Sequence, residues 1–258
     1  TTVVSVVITD ANDNAPKFTR DVYEPSIFES TEVNAQVVKV TARDSDSGVN
    51  AKITYSITSG NEDQKFSIDI ESGQISLAGS LDRETKAGYS LVVMAVDHGT
   101  VTLNSTCRVK VTVLDNNDQA PKFTTHFITE SISENARPGT VVAIVTAVDG
   151  DLGNNAQVSY AITAGDVDTA FNIDSATGKI YVANNLDYEH RSQYRLTVTA
   201  SDFGSPRLSS SIACTINIRD DNDNSPYFPP GSITWQIEES SQIGSNVGTI
   251  SANDADSG

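Results

Sequence analysis

The sequence predicts an all-β protein made of tandem Ig-like Greek-key sandwiches joined end to end, and three observations carry that prediction. A pentamer of acids and amides recurs at one fixed interval: Asp10-Ala11-Asn12-Asp13-Asn14, then Asp115-Asn116-Asn117-Asp118-Gln119, then Asp220-Asp221-Asn222-Asp223-Asn224. The step from Asp10 to Asp115 equals the step from Asp115 to Asp220, and each copy precedes a Pro and an aromatic (Pro16/Phe18, Pro121/Phe123, Pro226/Phe228). Between the pentamers, apolar residues alternate with polar ones in short runs, and no segment carries a sustained helical stripe.

The elements follow in chain order. Thr2 to Thr9 matches Thr106 to Leu114 one step later and reads as a final strand. Val37-Val38-Lys39-Val40-Thr41-Ala42 and Val141 to Ala147 are β-branched runs, and Ile53, Tyr55 and Ile57 alternate with polar residues, as do Tyr89, Leu91, Val93 and Ala95. Turn chemistry separates these runs at Asp46-Ser47-Gly48, Ser59-Gly60-Asn61, Ser72-Gly73 and His98-Gly99. About seven short strands per roughly 105-residue repeat is the pattern of an Ig-like sandwich.

Sliding the sequence by one step aligns Tyr55 with Tyr160, Phe66 with Phe171, Gly73 with Gly178 and Tyr89 with Tyr194, without net insertion. The aromatics are expected in the core. The expected domains are a last strand and linker over 1–14, full repeats over 15–119 and 120–224, and the first strands of a further repeat over 225–258. The 258 residues are therefore expected to be a slice of a longer protein.

Composition narrows the function. A formal net charge of −17 argues against nucleic acid or an anionic membrane as partner. The 38% hydrophobic content in regular runs argues against disorder. No apolar stretch reaches membrane-spanning length, so no direct insertion of this segment is expected. Cys107 and Cys214 each fall on the apolar side of an alternating run and are expected as buried free thiols, since they lie in different repeats. Asn104-Ser105-Thr106 is an N-glycosylation sequon on an expected loop.

The acids cluster by position. Glu29, Glu134 and Glu239 recur at the same step, as do Asp82/Glu84 with Asp187/Glu189, and Asp97 with Asp202. Asp44-x-Asp46, Asp149-x-Asp151 and Asp254-x-Asp256 form another recurring set. Calcium takes six to eight oxygens from carboxylates, amides and backbone carbonyls, and this composition supplies them. Solvated loop acids would explain one acidic loop; three linkers flanked by acids at the same offsets point to a cation. An EF-hand fails, because Gly48 comes one place early for Asp44-Ser45-Asp46-Ser47-Gly48 and Tyr55 stands where a bidentate Glu belongs. A glycosidase using a carboxylate pair is the rival from another class, but its active site would not recur in every repeat, and His98, His126 and His190 hold unrelated repeat positions.

Together these motifs resemble the extracellular cadherin repeat: Asp-x-Asn-Asp-Asn with Ala-Pro-x-Phe, Leu81-Asp82-Arg83-Glu84, Asp44-x-Asp46-Ser47-Gly48-x-Asn50-Ala51 and Ala95-x-Asp97-x-Gly99. The even spacing and the variant Leu186-Asp187-Tyr188-Glu189 look most like the long Fat/Dachsous-type cadherins, with protocadherins next. The resemblance implies about three calcium ions at each complete junction. At the central one it implies ligands from Glu29, Asp82 and Glu84, from Asp115, Asn117 and Asp118, from the carbonyls of Asn116 and Gln119, and from Asp149, Asp151, Asp202 and the Asn155 carbonyl. Gln119 departs from the family's Asn, which a carbonyl ligand tolerates.

At the first linker the resemblance implies one complete site from Asn12, Asp13, Asn14, Asp44, Asp46, Asn50 and Asp97, with Asp10 and Ala11 in the same pentamer. At the third it implies Glu134, Asp187, Glu189, Asp220, Asp221, Asn222, Asp223, Asn224, Asp254 and Asp256, and Glu239 belongs to the next set. Trp235, the single Trp, follows a linker and is expected to pack, partly buried, on a first strand, which argues against a strand-swapping adhesive tip. The implied role is an internal, calcium-stiffened rod segment of a non-enzymatic adhesion glycoprotein. Its place is the extracellular part of a single-pass plasma-membrane protein, and its partner is the same or a related cadherin on an opposing cell. A passive spacer is the alternative.

Overall fold

The structure is a computed structural model that describes residues 2–256. It divides into two compact units, Thr1–Asp118 and Gln119–Gly258. The first unit contains β1 (Lys17–Phe18), β2 (Val22–Tyr23), β3 (Ser26–Phe28), β4 (Gln36–Lys39), β5 (Ala42–Arg43), β6 (Thr54–Ser59), β7 (Phe66–Ile68), β8 (Gln74–Leu77), β9 (Gly88–Val96) and β10 (Asn104–Leu114). One sheet runs β2-β10-β9-β6, with β3 also on β10, and the other runs β4-β8-β7. The leading strands β2 and β3 pair with β10 in parallel, and β9 with β10 is a long antiparallel hairpin.

The second unit repeats this plan with β11 (Lys122–Phe123), β12 (Phe127–Ser133), β13 (Val141–Ile144), β14 (Ala147–Val148), β15 (Ser159–Ala164), β16 (Phe171–Ile173), β17 (Lys179–Val182), β18 (Gln193–Ser201) and β19 (Ser209–Arg219). Its sheets are β12-β19-β18-β15 and β13-β17-β16. Strands adjacent in a sheet are mostly not adjacent in sequence, so the chain passes between the two layers, as a Greek-key sandwich requires.

The expected seven strands are present but broken into more pieces. β2 and β3 form one interrupted leading strand along β10, while β1 pairs with β5 in a separate two-stranded ladder. Pro25 breaks β2 from β3 because it has no N–H to give the ladder, although its carbonyl still accepts from Thr112 N at 3.0 Å. The equivalent residue in the second repeat is Glu130, and β12 runs through it without a break.

Two terminal expectations are corrected. Thr2 to Thr9 is not a strand: no described residue pairs with it, and Val3, Val4, Val6, Val7 and Ile8 stay exposed. Residues 225–256 carry no named strand and only an isolated bridge between Tyr227 and Asn253. A strand needs a neighbour along its length to satisfy its backbone groups; among the described residues Thr2 to Thr9 has none, and residues 225–256 pair only at that bridge. Trp235 accordingly sits on no strand and is 45% exposed, with Gly248 close beneath its indole. Asn104 is also corrected from loop to strand. It begins β10 opposite Val96 and lies on the outward face of the sheet.

Each unit has its own core. Leu91, Val93, Ala95, Val109 and Ile75 are fully buried in the first, and Leu196, Val198, Ala200, Ile216 and Ile180 in the second. Each large apolar side chain so buried contributes roughly 1.5–3 kcal/mol. The aligned aromatics pack as edge-to-face pairs, Phe66 with Tyr89 at 5.0 Å between ring centroids and Phe171 with Tyr194 at 5.1 Å. Cys107 and Cys214 are buried and free; burial, with Asp21 and Glu130 adding to it, pushes their thiols up to about 11. Gly165 turns the chain out of a bulge in β15 at a φ of 88°, and a Cβ there would lie 1.9 Å from the Arg195 carbonyl oxygen. No other residue fits that position.

One core tyrosine in each unit reaches directly towards the acidic loops. Tyr160 Oη accepts from Ala147 N at 2.8 Å, two residues before Asp149, and Tyr55 Oη does the same for Ala42 N at 2.9 Å before Asp44. Tyr160→Phe would leave a buried N–H unpaired. We expect it to destabilise the second unit by about 1–3 kcal/mol in chemical denaturation, with the sandwich retained.

Candidate metal centres at the linkers

The third linker lies within the second unit and shows the fullest set of acids. Glu134 is buried where β12 ends, and its carboxylate is clamped by two backbone donors. Tyr188 N gives to Oε2 and Asp221 N to Oε1, both at 2.7 Å. This clamp ties the strand end to the Leu-Asp-Tyr-Glu turn and to the linker. Carboxylate oxygens of Glu134, Asp187 and Glu189 lie within 4.8 Å of one another, and so do those of Glu189, Asp220 and Asp256. Asn224 N donates to both oxygens of Asp256, at 3.2 and 3.0 Å, and Asp256 N donates to Asp254 Oδ1 at 3.2 Å. Ser133 Oγ contacts Asp221 Oδ2, a partner the sequence did not suggest.

The electrostatics of this cluster are strained. Burial, followed by Glu134, Asp256, Asp187 and Asp220, pushes the Asp223 carboxyl above the ordinary range. A hydrogen bond from its own backbone holds Glu189 down, but burial and the charges of Glu134, Asp220 and Asp223 together raise it. Carboxylates held this close by backbone donors repel, and a divalent cation is the group that would reverse the repulsion.

The first linker lies within the first unit. Asp97 is 2% exposed and accepts from Gly99 N, Leu103 N and Asn12 Nδ2. Burial is the largest influence on Asp97 and raises it, yet these three donors together hold its carboxyl below the usual range. A Cβ on Gly99 would sit 2.2 Å from Asn12 Nδ2, so glycine is required for the linker to lie this close. Asp46 accepts from Asn14 N and Nδ2, and Asp10 accepts from Ser47 N and Asn50 Nδ2. Those donors from Ser47 and Asn50 set Asp10 below its ordinary value. Asn12 Oδ1 and Asp44 Oδ2 are buried without a donor, as is Asp149 Oδ2 in the second unit. Oxygen atoms left so in otherwise well-bonded loops fit the donor set of a hard cation.

Around the central linker, each unit presents its own share. In the first unit Glu29 repeats the clamp of Glu134, accepting from Arg83 N at 2.7 Å and Asn116 N at 2.9 Å. Its oxygens come within 4.8 Å of those of Asp82 and Glu84. Asn117 is buried and Asp118 exposed. Burial is the chief cause of a raised Glu84, with Glu29 and Asp118 adding to it. In the second unit Gln119 N donates to Asp151 Oδ2 at 3.3 Å, Asp151 N donates to Asp149 Oδ1 at 3.0 Å, and Asn155 N donates to the Leu152 carbonyl. Asp202 is fully buried and accepts from Gly204 N and Leu208 N. Among the expected residues, Glu239 stands apart: it is exposed, and no described acid gathers round it.

Tandem sandwiches whose linkers gather carboxylates held by backbone donors define a class of repeat protein, and comparison with known proteins makes it specific. The cadherin domain family matches residues 23–114 and 128–219. The chain belongs to the cadherin family. It is 46% identical over 253 residues to human Protocadherin Fat 4 and 39% identical over 268 residues to Protein dachsous of Drosophila melanogaster. These alignments cover 98% and 99% of the chain, which spans only 5% and 8% of the length of those relatives. Its fold is similar to a crystal structure of mouse Cadherin-23 EC22-24, with a TM-score of 0.87 and 30% identity over 95% of this chain and 80% of that one. The likeness to Fat- and Dachsous-type cadherins agrees with the reading of the Leu-Asp-Tyr-Glu variant and the even repeats.

Glu134→Gln would present an NH2 group to one of two backbone donors. We expect the calcium-free protein to lose about 1–3 kcal/mol of stability in the second unit, read by denaturant melts in a chelator.

Proposed function

We propose that this chain is an internal rod segment of a cell–cell adhesion receptor, stiffened by calcium at its linkers. Its full repeats span 15–119 and 120–224, after the end of one repeat over 1–14 and before the start of another over 225–258. The observation that carries the reading is the third linker. There carboxylate oxygens of Glu134, Asp187 and Glu189, and of Glu189, Asp220 and Asp256, lie within 4.8 Å of one another, with Glu134 and Asp256 held by backbone donors. The same offsets recur at the other linkers, so the acids serve every repeat alike and are structural, not catalytic.

Calcium would supply charge neutralisation and fixed oxygen coordination. Glu134, Asp187, Glu189, Asp220, Asp221, Asn222, Asp223, Asn224, Asp254 and Asp256 would hold it at the third linker. Asp10, Ala11, Asn12, Asp13, Asn14, Asp44, Asp46, Asn50 and Asp97 would do so at the first. At the central linker the assignment is Glu29, Asp82, Glu84 and Asp115 to Asp118 from one unit, with Gln119, Asp149, Asp151, Asn155 and Asp202 from the other, and about three ions per complete junction. Modules of this kind bind calcium at about 10⁻⁴ to 10⁻³ M, so extracellular calcium would keep the rod stiff.

The proposed setting is the extracellular part of a single-pass plasma-membrane protein that meets the same or a related cadherin on an opposing cell. The similarity to Fat-type and Dachsous-type proteins supports this setting. Asn104 is exposed on the outward face of β10 and would be open to an N-linked glycan there.

Asp118→Ala tests the ligand assignment, because this exposed linker acid lies outside both cores. Calorimetric titration is expected to show one class of calcium sites weakened by about tenfold or more. Melting in a chelator is expected to be unchanged. Wild-type calcium affinity in this variant would remove Asp118 from the site.

A further inference from the structure

We propose that the outer face of the sheet β13-β17-β16, with the strand β14 that continues it, is a contact surface between two copies of this chain packed face to face. The proposal deepens the adhesive reading above by naming a face and a partner, and it rests on that reading only for its setting between cells.

The face stands out against the chain's own other repeat. Val141, Ile144 and Val148 are 52%, 56% and 59% exposed. A bulge between Val141 and Ala143, followed by alternation, buries Ala143, Val145 and Ala147 and leaves Ile144, Thr146 and Val148 outward. Tyr181 lies between buried Ile180 and Val182 and is the cross-strand partner of Val141, so it joins the same face. One repeat step earlier, these four positions are Gln36, Lys39, Arg43 and Ser76. The backbone there has the same register, with Gln36 opposite Ser76 and a bulge between Gln36 and Val38. The same scaffold thus carries polar residues at all four places, so the fold itself does not require the apolar ones. Scattered apolar residues on a surface need no explanation, but four neighbours on one sheet face call for a partner.

Charge selects the occupant. The chain carries −17 overall, so two copies repel wherever carboxylates face each other. This face holds no acid among its outward residues. Beside the apolar four it carries Thr146, Asn172, Lys122 opposite Val148 and Lys179 opposite Ile144. Two copies can therefore meet here without setting acid against acid. The lysine stems can lie along apolar surface while their ammonium groups reach outward to the acidic surroundings of the other copy. An anionic membrane, although it would attract the two lysines, is repelled by the rest of the chain. A two-fold axis lying in the interface would set the apolar line of one copy on that of the other, the isologous arrangement commonest among dimers. Three half-exposed aliphatics and a tyrosine make an apolar patch on the order of a few hundred Å². A stable complex buries about 800 Å² per partner, so this contact is a weak one, with a dissociation constant of roughly 10⁻⁵ to 10⁻⁴ M.

Sedimentation velocity of the whole chain in millimolar calcium, from about 1 to 300 µM, reads the contact. We expect a reversible monomer–dimer equilibrium. Val141→Gln, Ile144→Lys and Val148→Arg, made together, give the second unit the first unit's own residues on this face. They are expected to weaken dimerisation by about tenfold or more, with denaturant melts unchanged. Ile144→Lys alone gives the same reading at smaller size if the triple variant does not fold. A wild-type chain that stays monomeric throughout would overturn the proposal. So would a triple variant that dimerises like wild type, because the contact would then lie elsewhere on the chain. Beads coated with the chain separate this proposal from the adhesive reading. A face-dependent dimer in solution that fails to clump beads would keep the contact and remove its setting between opposing cells. Beads that clump equally with wild type and variant would keep adhesion and overturn the face.

Discussion

Carboxylates crowded round each linker by backbone hydrogen bonds are the constraint on which the rest of the structure depends. The buried glutamate at the end of the leading strand is the pivot. Glu29 and Glu134 each use both oxygens to hold two backbone N–H groups, one in the acidic turn and one in the linker. That clamp fixes where Asp82 and Glu84, or Asp187 and Glu189, must point. It also brings like charges together, which with burial raises the carboxyls of Glu84, Glu189 and Asp223. On the proposed reading, a divalent cation would relieve that repulsion at the linkers.

The packed cores hold the strands that lead into the acidic loops. Tyr55 and Tyr160 extend from the two cores to hold the strand that leads into Asp44 and into Asp149. Asp97 and Asp202 are buried and bonded to the N–H groups of their own loops, so each carboxylate is held in place by the fold itself. Packing thus positions the chemistry: alternating strands make the core, the core anchors the loops, and the loops present oxygen atoms in a preset arrangement.

Much of this was legible in the sequence because a repeat is a self-check. The fixed step located Glu29, Asp82, Glu84 and Asp97 along with their partners Glu134, Asp187, Glu189 and Asp202, and alternation placed Cys107 and Cys214 in the core. Strand continuity was less legible, since only Pro25 against Glu130 signals that one leading strand breaks and the other does not. The terminal segments read as strands because their side-chain pattern is that of strands, but pairing is a property of neighbours and Thr2 to Thr9 has none. Asn104 read as a loop because sequon and turn residues look alike locally, while the register of the β9–β10 hairpin carries it into the strand. Arg83 was present in the motif as a letter, yet its ion pairs with Glu84 and Asp115 needed the fold.

The central claim is that calcium converts these linkers from repelling clusters into fixed joints. Small-angle X-ray scattering across a calcium titration, with magnesium as the control cation, tests it most directly. The account predicts that the scattering settles to that of one stiff, extended particle near millimolar calcium, and that magnesium at the same concentration does not reproduce the change. A profile indifferent to calcium would contradict it, and would leave the recurring acids as features of a shared fold without the joint.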